Sequence, residues 1–166
     1  MTYTMIDKRI LICNARDYEN LPENRSQWAF DMRFLPDDNP TDADKLALIK
    51  KVLEMHVIWK TTKDLIIIYC QAGHNRSVIA ALCLMIINDP TFNVEVVKDK
   101  LNTYREEVYP HPSWIQFVID FFNYPHLQCC YTCKFCLPLY GWRGNCLFKK
   151  TECYYLKECG NYVRKE

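Results

Sequence analysis

The stretch LIIIYCQAGHNRSVIAALCLMII, residues 65–87, decides the fold of this chain. The apolar and aromatic run at 65–69 predicts a buried strand, and the apolar run at 78–87 predicts a buried helix. Between them, at residues 70–77, lies a short loop in which Gly73 marks the point where the backbone must curl. Such a loop at a helix start aims successive backbone N–H groups at one point. The stretch therefore predicts an anion-binding site.

The first residue of this loop is Cys70, and Arg76 and Ser77 close it. The loop N–H groups, the helix dipole and the guanidinium all favour the thiolate form of Cys70, which is the nucleophilic form. Arg76 can bind two phosphate oxygens through its planar fork, and Ser77 can donate a hydrogen bond to the sulfur as it departs. Together they predict hydrolysis of a phosphate ester through a cysteinyl-phosphate intermediate. The residues between them are expected to bind the phosphate through their backbone N–H groups: Gln71, Ala72, Gly73, His74 and Asn75.

The alternative interpretation of this pair is a buried structural cysteine beside a surface arginine. The bare Cys-x5-Arg spacing is weak evidence in a chain with ten cysteines. The flanking strand, the glycine, the serine and the apolar helix favour the catalytic interpretation.

A leaving alkoxide needs a proton, so the predicted reaction requires a general acid. Asp37 and Asp38 are the predicted acids, with Asp37 preferred, because they lie in a proline-flanked loop at 35–42. The alternative role for this acidic segment is to start a helix, with Thr41 and Asp44 as its capping pair. Both interpretations can hold at once.

Strand-like and helix-like patterns alternate along the chain. Strands are predicted at residues 9–14, 29–35 and 65–69, and helices over 46–57, 78–87, 97–104 and 114–122. This order predicts an α/β fold with a central, mostly parallel sheet flanked by helices. We expect a catalytic domain at residues 1–126 and a cysteine-rich appendage at 127–166.

Charge is nearly balanced, with 21 basic and 20 acidic residues, so a nucleic-acid partner is not expected. The N-terminus lacks the pattern of a signal peptide, and no stretch has the length and apolarity of a membrane span. We therefore expect a soluble protein of the cytoplasm or nucleus, where a reducing environment suits a catalytic thiolate. Nothing in the sequence sets the oligomeric state.

Seven of the ten cysteines lie within residues 129–159. Their close spacing suits a structural zinc site, which would let a segment too small for its own core fold. Disulfides, or reduced cysteines packed with aromatic residues, are the alternatives. The predicted zinc ligands, for which His126 is a substitute, are Cys130, Cys133, Cys136, Cys146, Cys153 and Cys159.

Residues 9–123 resemble the dual-specificity branch of the cysteine-based protein phosphatases. Cys70, Arg76 and Ser77 match the family's nucleophile, phosphate-binding arginine and following hydroxyl. Asp37 fits the family's acid, because members often carry a second aspartate five residues later, as Asp42 is here. The resemblance implies an enzyme that removes phosphate from tyrosine and from serine or threonine in phosphoproteins, with no cofactor for catalysis.

Two departures keep other functions open. Tyr69 stands where the family usually has histidine, which is compatible with reduced activity, a shifted pH optimum or a weakly active phosphoprotein-binding module. Asn75 precedes the arginine, as it does in RNA 5′-phosphatases of the same superfamily, although the loop lacks the basic residues expected for RNA. An RNA 5′-phosphatase is therefore the alternative enzyme.

Overall fold

The structure is a computed structural model, and it describes residues 4–22, 28–89, 95–96, 99, 102–103, 108–123, 136–138, 143–146 and 151–154. The chain divides into two compact units, residues 1–116 and 117–166. The predicted assignment of residues 1–126 to a catalytic domain stays a prediction.

The first unit contains a four-stranded mixed sheet. Its strands are β1 (Thr4–Asp7), β2 (Ile10–Asn14), β3 (Trp28–Asp31) and β4 (Ile66–Cys70), arranged in the order β1-β2-β4-β3. Strand β4 runs parallel to both of its neighbours, and β1 runs antiparallel to β2. The predicted α/β fold with a mostly parallel sheet is confirmed, and the end of the central strand β4 carries Cys70.

Four helices have full bounds: α1 (Ala15–Glu19), α2 (Asp42–Thr61), α3 (Arg76–Asn88) and α4 (Pro112–Asn123). Helix α2 begins with the predicted capping pair. The Thr41 hydroxyl accepts a hydrogen bond from the Asp44 N–H, and the Asp44 carboxylate accepts one from the Thr41 N–H. Residues 95–96, 99 and 102–103 are also helical, in the region where a helix was predicted.

Three details of the predicted elements were wrong. The third strand ends at Asp31 rather than at residue 35, because the Asp31 carboxylate accepts hydrogen bonds from the Arg33 N–H and guanidinium and turns the chain there. Helix α2, predicted over residues 46–57, extends further at both ends, from Asp42 to Thr61. Strand β1 was not predicted, because a four-residue strand that pairs Met5 with Leu11 has no period of its own to detect.

Burial on both faces makes the strand that carries Cys70 rigid. On one face Ile67 packs with Leu11, Cys13 and Tyr18, and α3 packs against β4 and β2. Every residue of α3 from Ser77 to Ile86 is buried. The loop between β4 and α3 is therefore mounted between two fixed elements, which is what a site built from backbone N–H groups requires.

The second unit contains a three-stranded antiparallel sheet. Its strands are β5 (Cys136–Pro138), β6 (Arg143–Cys146) and β7 (Thr151–Tyr154). The register places Cys136 opposite Cys146 and Cys153 opposite Gly144. Among the described residues, no helix combines the length and the apolarity needed to span a membrane.

Candidate active site

The thiol of Cys70 lies at the bottom of the loop between β4 and α3. Its side chain is only 2% exposed. The N–H of Gly73 donates to Cys70 Sγ over 3.2 Å, and the Ser77 hydroxyl lies 3.3 Å from the same sulfur. Gly73 has a φ of 72°, a conformation that a residue with a Cβ adopts only at a cost. A backbone N–H that donates to the sulfur and a hydroxyl within hydrogen-bond distance of it therefore converge on Cys70.

Arg76, the first residue of α3, joins this loop to the loop that precedes α2. Its Nη1 donates to the backbone carbonyls of Leu35, over 3.0 Å, and of Arg33, over 3.2 Å. Its Nε lies 2.9 Å from Asp37 Oδ1 and forms an ion pair with it. The Arg76 side chain is 12% exposed, so these contacts lie in a partly desolvated environment.

The ion pair with Asp37 does not satisfy the Nε–H of Arg76. The angle is wrong for a hydrogen bond, and within the described part of the chain this buried N–H has no hydrogen-bond partner. A phosphate oxygen beside Cys70 could accept this N–H.

The loop before α2 presents Asp37 to this site. Asp37 and Asp38 are both exposed, and it is Asp37 that contacts Arg76 and Asn75. Asp42 is also exposed, and its carboxylate lies 3.6 Å from Lys45. Of the predicted acids, the structure therefore brings Asp37 to the loop that carries Cys70. Its side chain is 67% exposed, so it is accessible to a substrate.

A third segment, residues 109–114, supports both loops. The indole N–H of Trp114, a fully buried residue, donates to the carbonyl of Pro36 over 3.0 Å, and the Ser113 hydroxyl accepts from the Asn39 N–H over 3.1 Å. The Tyr109 N–H donates to the carbonyl of His74 over 2.9 Å. Sequence reasoning missed these supporting roles, since nothing in the local pattern links residues more than thirty positions apart.

The fold was compared with solved structures. DUSP15 superposes with a TM-score of 0.60 at 14% identity, over 73% of this chain and 87% of its own. Human DUSP28 gives 0.59 at 14% identity over 72% and 91%, and OH1 from the Orf virus, a tyrosine phosphatase with triple substrate specificity, gives 0.58 at 15% identity over 72% and 86%. The fold is that of the cysteine-based phosphatases. No protein-family model and no curated protein matches the chain by sequence.

Tyr69 occupies the position before Cys70, the predicted nucleophile. Because side chains alternate along a strand, Tyr69 and Cys70 lie on opposite faces of the sheet. The Tyr69 ring stacks on Tyr18 at a centroid distance of 4.0 Å, and the guanidinium of Arg33 lies 5.7 Å from it. Burial, reinforced by the Asp31 carboxylate, raises the pKa of the Tyr69 phenol, which therefore stays neutral. Tyr69 packs the far side of the strand.

The remaining predicted residues of the phosphate-binding loop differ in exposure. Gln71 and Ala72 are exposed, and His74 is half-buried, with its ring 6.1 Å from that of Tyr109. The other described cysteines of the phosphatase fold, Cys13 and Cys83, are buried, as predicted. Burial raises the pKa of the Cys83 thiol strongly, so that thiol is unreactive at neutral pH.

The predicted zinc ligands fall in two groups. Cys136, Cys146 and Cys153 occupy register positions on one face of the β5-β6-β7 sheet, since cross-strand partners and residues two apart share a face. Such a placement suits either a metal or a disulfide. Cys130, Cys133 and Cys159, with His126, lie outside the described residues. A structural zinc stays a prediction.

Proposed function

We propose that this chain is a protein phosphatase that hydrolyses phosphotyrosine and phosphoserine or phosphothreonine through a cysteinyl-phosphate intermediate on Cys70. The observation that carries the proposal is that one loop holds a buried thiol, a backbone N–H directed at its sulfur and the guanidinium of Arg76, with the carboxylate of Asp37 beside it. A phosphate oxygen would accept from the guanidinium, and the sulfur would meet the phosphorus.

In the first step the Cys70 thiolate attacks the phosphorus and the bond to the leaving oxygen breaks. Arg76 and the loop N–H groups stabilise the charge on the three equatorial oxygens, which is usually the largest catalytic contribution. The bound phosphate takes the place of Asp37 beside Arg76, and Asp37, which enters this step with a proton taken from solvent, donates that proton to the leaving oxygen. The products are the dephosphorylated alcohol or phenol and a phosphorylated cysteine.

In the second step a water molecule attacks the phosphorus, and the Asp37 carboxylate takes the proton that the water loses. The S–P bond breaks, and the sulfur leaves as a thiolate. The Ser77 hydroxyl, 3.3 Å from Cys70 Sγ, donates a hydrogen bond to this leaving group. Inorganic phosphate is released, and the thiolate is ready for another turnover.

Ser77→Ala is expected to slow the second step selectively. Loss of a hydrogen bond to a charged sulfur should lower kcat by about 10- to 100-fold. Stopped-flow measurements with an aryl phosphate should then show a burst of phenol followed by slow turnover. Ser77→Thr, which keeps the hydroxyl, is the matched control and should show no burst. An unchanged kcat in Ser77→Ala would rule out this role.

Exposed aromatic residues near the loop support a peptide substrate. Phe34, 50% exposed, lies between the two residues whose carbonyls bind Arg76. Tyr109, 69% exposed, is tied through its backbone to His74. Apolar rings at these positions suit contact with the ring of a phosphotyrosine, because aromatic pairs stabilise one another.

The experiment that tests the proposal measures phosphate release from a phosphotyrosine peptide, a phosphothreonine peptide and a 5′-triphosphate RNA. Acid quenching during turnover, followed by mass spectrometry, should find one phosphoryl group on Cys70. Release from both peptides is the expected result. Release from RNA alone would instead establish the RNA 5′-phosphatase. No phosphate release from any of the three substrates, together with retained binding of the peptides, would identify a phosphoprotein-binding module.

A further inference from the structure

Asn75 occupies an unusual position for its hydrogen bonds. It is the N-cap residue of α3, where an asparagine side chain ordinarily accepts a hydrogen bond from the N–H groups of the first helical turn. Here the Asn75 side chain makes no such bond. The N–H groups at the start of α3 thus stay available to an anion, and the side-chain amide of Asn75 forms its hydrogen bonds with other segments.

Both ends of the amide bind other loops. Nδ2 donates to the backbone carbonyl of Asp37 over 2.6 Å and lies 3.4 Å from Asp37 Oδ1. Oδ1 accepts from the backbone N–H of His111 over 2.9 Å. The orientation of the amide is unambiguous, because a backbone N–H can only donate and a carbonyl can only accept.

The two partners of Asn75 belong to the two segments that surround the phosphate-binding loop. Arg76 and Trp114 hold the carbonyls of Leu35 and Pro36, which precede the acid. The Asn75 amide binds the backbone of Asp37 itself, next to the ion pair of its side chain with Arg76. It therefore controls the position of the residue that must deliver the proton.

We infer that Asn75 is a positioning residue that holds Asp37 over the phosphate-binding loop by bridging Asp37 to His111. The inference rests on the proposed function, and it adds the device that keeps the acid in place. Two further contacts agree with it. Asn39, two residues after Asp37, binds Ser113, and Tyr109, two residues before His111, binds His74. The two segments thus already converge on either side of the amide.

A misplaced acid affects substrates unequally. An aryl phosphate with a poor leaving group, such as phenol, needs its leaving oxygen protonated in the transition state. A nitro-substituted phenol is a better leaving group, so its departure depends less on protonation by a general acid. Loss of a positioning residue for the acid should therefore appear as a steeper dependence of kcat/KM on the leaving group, because kcat/KM excludes hydrolysis of the intermediate that both substrates share. General damage to the site lowers both values alike.

Asn75→Asp is the variant that isolates the contact with Asp37. The substituted side chain keeps the size of asparagine and an oxygen that accepts from the His111 N–H. It loses the donor to Asp37 and places a second carboxylate beside it. We expect kcat/KM for phenyl phosphate to fall by about 10- to 100-fold more than kcat/KM for nitrophenyl phosphate, part of the contribution of a general acid. The added carboxylate also repels the phosphate group, which should raise KM for both compounds alike.

Three further variants complete the test. Asn20→Asp, an exposed residue at the end of α1, is the matched control and should leave both rates unchanged. In an Asp37→Asn background, Asn75→Asp should add little to the difference between the two compounds, because the group that it positions is already absent. If Asn75→Asp does not fold, Asn75→Ser removes the same contact without adding charge.

The outcomes separate the inference from the proposed function. Equal losses of kcat/KM for the two aryl phosphates, or a further difference between them in the double variant, would overturn the positioning role while leaving the phosphatase intact. A wild-type protein that hydrolyses neither compound would overturn the proposed function, and the positioning role with it. A wild-type enzyme insensitive to Asp37→Asn would overturn the role of Asp37 as the acid, and likewise the role of Asn75.

Discussion

Replacing Cys70 with serine is expected to lower phosphate release from a phosphotyrosine peptide by about 10⁴-fold or more, as loss of a catalytic nucleophile does in other covalent enzymes. Cys70 is 2% exposed, its sulfur accepts the Gly73 N–H, and the Ser77 hydroxyl lies 3.3 Å from the sulfur. A serine hydroxyl in the same place is a much weaker nucleophile than the sulfur of a cysteine. The substitution removes the nucleophile while Arg76 and the loop remain.

The Cys70→Ser variant should therefore still bind the phosphotyrosine peptide although it no longer hydrolyses it. Calorimetry with the phosphotyrosine peptide should show retained affinity, and phosphate release should be absent. Cys83→Ala is the matched control. The Cys83 thiol is buried within α3, where burial keeps it neutral, and it is not part of the loop that carries Cys70. Its turnover should stay that of the wild type. Undiminished turnover in Cys70→Ser would mean that another group attacks the phosphorus.

Arg76→Lys is expected to lower kcat/KM by about 10²- to 10³-fold, the typical loss on removing a preorganised transition-state donor. A lysine keeps the charge but loses the planar fork. It also cannot reproduce the contacts of the guanidinium with the Leu35 and Arg33 carbonyls and with Asp37. The change should thus weaken phosphate binding and loosen the acid loop together.

Arg33→Lys provides the control for this second prediction. The Arg33 side chain pairs with Asp31 on the surface, over 2.6 Å, and only its backbone carbonyl touches Arg76. Its substitution should leave kcat/KM unchanged, because exposed ion pairs contribute little and the carbonyl is retained. Steady-state measurement of kcat/KM for both variants tests this prediction. Equal losses in the two would show that the effect is not specific to the guanidinium of Arg76.

Local sequence patterns predicted the strand and the helix that flank the candidate site, because the formation of these elements depends mainly on residues close together in the chain. The strand before Cys70 and the helix after Arg76 appear within a residue or two of their predicted bounds. The capping box at Thr41 is also as predicted. Burial period, turn residues and caps are properties of a few consecutive residues, so a single sequence contains them.

The loop before α2 shows what local sequence patterns do not predict. Asp37 and Asp38 are adjacent and chemically equal, and the sequence preferred one on a family spacing alone. The tertiary contacts of Asp37 with Arg76 and Asn75 distinguish them. The same applies to the end of β3, where a side chain two residues away turned a predicted strand into a loop.

By itself, the sequence predicted the α/β fold and placed a thiol and a guanidinium in one loop between a strand and a helix. Only the tertiary structure decided which carboxylate lies beside Arg76 and that Asn75 bridges Asp37 to His111. The physical reason is distance along the chain. Strands, helices and caps follow from interactions between near neighbours, whereas these contacts join residues 36 to 39 positions apart, which only the packed fold brings together.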